Sequence, residues 1–236
     1  PNQPERVVIF LFDIDGTLIR TDHVGRRAFE RACDEHLGHT GTLESIRLDG
    51  KTDPGILDEV FLQWQGRDAT AEEHEAILGK YLDYLAEALP SAQYEVLPGV
   101  VEVLDELDRR GAPLGLATGN HVRGAEIKLS RGDLWRRFRF GGFGSDAKER
   151  SELVRVGVQR GRAHARDVEA RRAIWVIGDT PRDIHAAHAA GARALGVATG
   201  SFDEAALREA GADRTVPDLR SFWSVFEDAE DRLQDA

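Results

Sequence analysis

Two hydrophobic patterns alternate along this chain. Val7-Val8-Ile9-Phe10-Leu11-Phe12 is an unbroken apolar run, the mark of a strand covered on both faces by helices. Similar runs occur at Pro113 to Thr118 and Ala173 to Gly178, with weaker ones at Ala192 to Ala198 and Asp213 to Pro217. Helical periodicity lies between them. From Gly99 to Arg110, the residues Val100, Val103, Leu104 and Leu107 share one face, and Gly111 stops the helix. Thr180-Pro181-Arg182-Asp183 reads as a helix start, with Thr as N-cap, Pro in the first turn and a carboxylate three residues after the cap. Ser201 with Glu204 repeats the device. Strand and helix in alternation predict an α/β fold, a doubly wound (Rossmann-like) parallel sheet.

Residues 20–94 break this rhythm. Helical segments at Val24 to Leu37, Pro54 to Gln65 and Ala71 to Leu89 follow one another with no convincing strand. They predict an all-helical cap inserted after the first strand, with Glu95 to Gly99 returning the chain to the core. The expected division is therefore residues 1–19 and 95–236 as the core and 20–94 as the cap.

Composition narrows the function. The chain has 236 residues, of which 41% are hydrophobic and 31% charged, as in an ordinary globular protein. Its formal net charge of −11 opposes nucleic acid and anionic membranes as partners. The apolar runs are too short to cross a bilayer, and the N-terminal residues show no signal-peptide pattern. Cys33 stands alone, so no internal disulfide is possible, and a cytoplasmic location is expected.

The candidate chemistry sits at the carboxyl ends of predicted strands. The first runs into Asp13-Ile14-Asp15-Gly16-Thr17-Leu18, another into Thr118-Gly119-Asn120, and a third into Gly178-Asp179-Thr180-Pro181-Arg182-Asp183. A parallel sheet gathers such ends on one rim. Carboxylates crowded there repel one another unless a hard cation shares them, and oxygen ligands with room for water suit Mg²⁺.

These three motifs resemble the first, second and fourth motifs of haloacid dehalogenase superfamily phosphatases, and the helical insert is similar to the cap of the phosphoglycolate phosphatase-like branch. The resemblance implies hydrolysis of a small phosphorylated metabolite through an aspartyl-phosphate. Asp13 would be the nucleophile, Asp15 the general acid and base, and Thr118 and the Gly119 amide phosphate ligands, with Gly16 and Thr17 shaping the turn at the phosphate. Mg²⁺ would be held by Asp13, the Asp15 carbonyl and Asp179, with Asp183 close behind. Asp15 argues against dehalogenase and phosphonoacetaldehyde hydrolase activities, which lack an acid two residues after the nucleophile. Sugar phosphomutase stands as the alternative, and a non-catalytic phospho-acceptor module as the alternative from another class.

Several positions admit two readings. Asp183 serves a capping box, a metal, or both; Asn120 caps the next helix or touches substrate. Lys51, in the polar turn Leu48 to Pro54 with Asp53 as expected N-cap, answers a substrate anion or lies on a surface loop. His185 and His188, three apart, read as ordinary helix residues rather than metal ligands, and Cys33 as a packing residue. The family's third motif, a Lys often followed by Pro, is altered here to Gly144-Ser145-Asp146-Ala147-Lys148-Glu149-Arg150. Lys148 has the usual spacing to an acid, Glu152, and is favoured over Arg150 as the phosphate-site cation.

Overall fold

The computed structural model describes residues 8–38, 42–165 and 173–226. Eight strands and eight α-helices occur among them. Six strands form one parallel sheet: β1 (Ile9–Phe12), β4 (Leu114–Thr118), β5 (Phe140–Phe143), β6 (Ile174–Gly178), β7 (Arg193–Val197) and β8 (Arg214–Val216), in the order β5-β4-β1-β6-β7-β8. β1 is central because it is the most apolar strand. Phe10 and Phe12 enter one buried layer and Ile9 and Leu11 the other, so alternate side chains fill both faces. The chain builds outward from β1 to β4 and β5, then crosses to β6, β7 and β8. The reversal beside β1 leaves a crevice at the strands' carboxyl ends, where open α/β sheets bind ligands.

Five helices cover the sheet: α4 (Val100–Arg109), α5 (Val122–Arg131), α6 (Arg150–His164), α7 (Pro181–Ala189) and α8 (Glu204–Glu209). The start of α8 corrects the expected device at Ser201, because Asp203 is the N-cap and accepts from the Ala206 N–H at 2.8 Å. β5 has no forerunner among the apolar runs, since its sequence is Phe-Gly-Gly-Phe. Its glycines serve close packing: a Cβ on Gly142 would run into the Leu153 carbonyl, where α6 lies against the strand backbone.

The three expected helices after β1 are α1 (Val24–Leu37), α2 (Asp53–Gln65) and α3 (Ala71–Ala88). They bury an apolar cluster of their own, including Phe29, Leu57, Phe61, Ile77 and Leu82. Contrary to the purely helical reading of 20–94, two short strands mark where the chain leaves and returns. β2 (Ile19–Thr21) pairs antiparallel with β3 (Tyr94–Val96), setting Arg20 opposite Glu95. Both strands are too short to leave a periodic signal. Val7 lies outside the described residues. Among the described residues no helix is long and apolar enough to cross a membrane.

Candidate active site

Asp13 leaves β1 with its N–H bonded to the Ile177 carbonyl of β6 (2.8 Å), which fixes it between the two strand ends. Gly16 turns the chain at φ +82°, and a Cβ there would collide with the Asp179 carboxylate. Thr17 is fully buried and donates to Asp179 Oδ1 at 3.1 Å, so it orients that carboxylate. The Thr199 hydroxyl pins the Gly16 carbonyl at 2.5 Å. After β6, Thr180 and Asp183 form the expected capping box: Asp183 Oδ2 accepts from the Thr180 N–H (3.0 Å), and Thr180 Oγ1 accepts from the Asp183 N–H (3.4 Å).

Capping does not remove Asp183 from the site. One carboxylate oxygen each from Asp13, Asp179 and Asp183 lies within 4.8 Å of the others, and all three residues are buried. Burial, with Asp183 and Asp15 adding repulsion against an opposing Arg150, pushes the Asp13 carboxyl up to about 6. Burial and the charges of Asp183 and Asp13 drive Asp179 well above the usual carboxylate range. This all-oxygen donor set under mutual repulsion fits a hard divalent cation such as Mg²⁺.

The cation that stands beside Asp13 is Arg150, whereas Lys148 is the one expected from the sequence at the phosphate site. Arg150, 9% exposed, places Nη2 3.0 Å from Asp13 Oδ1. Its Nε donates to Asp183 Oδ1 at 2.9 Å and its Nη1 to the Gly50 carbonyl at 3.1 Å. Lys148 pairs instead with Asp58 of α2 at 2.7 Å, with 57% of its side chain exposed. Its spacing to Glu152 has no structural consequence, because Glu152 pairs with Arg155. The reason is the helix boundary: α6 begins at Arg150, so that residue projects from the first turn toward β1. A planar fork can serve two carboxylates and a carbonyl at once, which an ammonium group cannot do with the same fixed geometry.

A second polar cluster surrounds Asp15. Asn120 Nδ2 donates to Asp15 Oδ2 (2.8 Å) and to Thr118 Oγ1 (2.9 Å). Asn120 is therefore not a cap; His121 holds that position in α5. Buried Lys128 donates to Asp15 Oδ1 and Oδ2 (2.9 and 2.7 Å) and to Asn120 Oδ1 (2.7 Å). Lys128 escaped the sequence reading, although the helical period sets it on the buried face of α5 with Ala125 and Leu129. A lysine on an apolar face is the signal that could have found it.

The turn from α1 to α2 closes over this rim. The N-cap of α2 is Thr52, one residue earlier than expected, and its hydroxyl donates to the Lys148 carbonyl at 2.7 Å. Asp53, released from capping, donates its N–H to the Gly119 carbonyl (2.8 Å) and accepts from the His121 N–H through Oδ2 (2.7 Å). Lys51 lines the cavity but is ion-paired with Glu59 of α2. His188 bonds Asp213 at 2.9 Å, and neither it nor His185 joins the acidic cluster. Cys33 is fully buried, and burial pushes its thiol up to about 12, which makes it inert.

The family model for haloacid dehalogenase-like hydrolases matches residues 10–197, a span that takes in all three motifs, the helical insert and Arg150. The chain belongs to the haloacid dehalogenase-like hydrolase family. It is 28% identical over 232 residues to "Validoxylamine A 7'-phosphate phosphatase" of Streptomyces hygroscopicus subsp. limoneus, covering 89% of this chain and 93% of that protein. Among solved structures it resembles a hydrolase from Pseudomonas syringae (TM-score 0.71, 24% identity, 93% of this chain and 98% of that one). A structure described as a predicted phosphoglycolate phosphatase from Haemophilus somnus 129PT also has a TM-score of 0.71, with 17% identity and 94% and 98% coverage. At those identities the two structures speak for the fold: a six-stranded parallel sheet with flanking helices and a helical cap.

Asp53 carries a pH signature that tests this packing. Burial, and to a lesser degree Asp15, outweigh Lys128 and the His121 N–H and push its carboxyl from 3.8 up to about 6. A carboxyl raised in the fold favours the protonated form there. That contribution to stability is complete below pH 3.8 and is lost as pH rises through about 6. Asp53→Asn keeps an oxygen for the His121 N–H and removes the buried charge. It should stabilise the protein by up to ~3 kcal/mol at pH 8 and by about half as much at pH 5. Urea unfolding at the two pH values measures this, and a gain that does not grow with pH would contradict the assignment.

Proposed function

We propose that the protein is a phosphatase that hydrolyses a small phosphate monoester through an aspartyl-phosphate on Asp13. The observation that carries this reading is the pairing of two different carboxyl environments two residues apart. Asp13 is buried against Arg150 within the acidic cluster, whereas Asp15 projects toward the cavity and is held from behind by Lys128 and Asn120. The first arrangement suits an in-line nucleophile and the second a group that exchanges protons with a leaving oxygen.

On this reading Asp13 attacks phosphorus while Arg150 binds a phosphate oxygen beside it. Thr118 Oγ1 accepts from Asn120, which leaves its O–H hydrogen to donate to a second phosphate oxygen, with the Gly119 N–H beside it. Asp15 protonates the departing alkoxide and then takes a proton from the water that hydrolyses the acyl phosphate. Asp13, Asp179 and the Asp15 carbonyl would hold Mg²⁺, with Asp183 behind them. Bound there, the ion keeps the crowded carboxylates ionised and offsets the phosphate's negative charge. Helices α1 to α3 form the cap, residues 20–94, and exclude water above the rim. Lys51, committed to Glu59, is no substrate anchor in this arrangement.

The decisive experiment is a phosphoester assay with Mg²⁺ that follows inorganic phosphate, which a phosphomutase would not release as its product. Activity should vanish with EDTA and return with Mg²⁺. Asp179→Ala should raise the Mg²⁺ requirement steeply, and Asp15→Asn should lower kcat by roughly 10²–10⁴. Full activity after verified metal removal would refute the metal's part in this reading.

A further inference from the structure

Beyond Asp15, away from the phosphate rim, the cavity of about 710 Å³ runs up between the helices of the cap. Tyr81 of α3 lines it and is only 2% exposed. Its ring packs against Phe29, with centroids 5.0 Å apart. Among the described residues its hydroxyl meets no hydrogen-bond partner, yet it is not sealed from solvent, so it opens into the cavity. Burial pushes the phenol far above its usual range, so the group stays protonated and can donate. A buried phenol that faces a cavity without a partner is costly unless water or a ligand satisfies it.

The neighbouring groups define what that ligand is. A Cβ built on Gly25 would stand 3.9 Å from Tyr81 Oη and 3.6 Å from Lys128 Nζ, so both polar tips converge on one spot. Lys128 is already committed to Asp15 and Asn120. Asp53 Oδ2 accepts from the His121 N–H, and its other oxygen has no partner among the described residues. The open groups nearest Lys128 thus include a phenol and a carboxylate oxygen, walled by apolar Phe29 and Ile56. A carboxylate or second phosphate on the substrate would face Asp53 and Asp15, while Lys51 and Arg20 are tied to Glu59 and Glu95. A hydroxyl satisfies both open groups, because it donates to the carboxylate and accepts from the phenol.

We propose that Tyr81 and Asp53 form a leaving-group subsite for an uncharged polyhydroxylated moiety, so that the substrate is a sugar or cyclitol monophosphate. This rests on the phosphatase reading above. The rival is a substrate built around a carboxylate, for which Arg26 would be the anchor; that side chain lines the same cavity and commits Nη1 to the Leu43 carbonyl at 2.6 Å.

The test compares hexose and cyclitol monophosphates, phosphoglycolate and p-nitrophenyl phosphate on the wild type and on Tyr81→Phe. At least one polyol phosphate should exceed phosphoglycolate in kcat/KM by about tenfold or more. Tyr81→Phe should lower kcat/KM for that polyol phosphate by about tenfold, with p-nitrophenyl phosphate changing less than about threefold. Equal losses on both substrates would make Tyr81 merely structural and overturn the subsite. So would a preference for phosphoglycolate that disappears in Arg26→Ala. Thermal shifts of the Asp13→Asn protein with the same panel read the subsite by binding alone. A Tyr81-dependent shift without turnover of any ester by the wild type would keep the subsite and overturn the phosphatase reading. Turnover of p-nitrophenyl phosphate with no polyol preference and no polyol shift would do the reverse.

Discussion

Purified Asp13→Asn protein should hydrolyse no phosphoester above about 10⁻⁴ of the wild-type rate, the scale of loss when a nucleophile is removed. The amide cannot form the acyl phosphate, and no second carboxylate can replace it. Asp179 is oriented by Thr17, and Asp183 by Thr180 and Arg150. Misfolding is not the expected cause of the loss. Asp13 is buried beside other carboxylates and its carboxyl is pushed up to about 6, so in metal-free buffer the neutral amide should hold or raise Tm. Mg²⁺ should stabilise the wild type more than the variant, because the variant has lost a charged ligand. Wild-type-like turnover by the variant would end the covalent mechanism. An unchanged Mg²⁺-induced shift in Tm would take Asp13 out of the metal site.

The second large effect separates the two candidate cations. Arg150→Ala should lower kcat/KM by about 10²–10³, the usual weight of a charged donor aimed at a transferring phosphoryl group. Lys148→Ala should stay within about threefold, since it loses only an exposed pair with Asp58. Arg150 also compensates two buried carboxylates, so its removal can cost about 3–5 kcal/mol of stability. Arg150→Lys guards against that confusion, because it keeps the charge and loses the fork. It should remain folded while recovering only part of the activity. If Lys148→Ala is the damaging variant and Arg150→Ala is active, the phosphate is bound differently from the arrangement described here.

The contrast between these two residues shows how far the sequence reaches. Local chemistry determined what does not depend on packing. The apolar run at β1, the capping box of Thr180 with Asp183, and the three helices after β1 were all readable, because each follows from the backbone's own hydrogen bonds and a period of two or 3.6 residues. Parallel strands then obliged Asp13, Asp15, Thr118, Asp179 and Asp183 to gather on one rim. The hidden features are those in which the tertiary structure selects among equivalent local choices. Glycine-rich β5 is a strand because α6 must approach its backbone, and β2 and β3 exist only as each other's partners. Lys148 and Arg150 are two residues apart, and the start of α6 alone aims the second at Asp13. Lys128 and Tyr81 belong to helices whose faces were predictable but whose neighbours were not. Whether a buried polar tip meets a carboxylate, as at Lys128, or an open cavity, as at Tyr81, depends on residues from other elements of the chain, and only the packed fold brings those together.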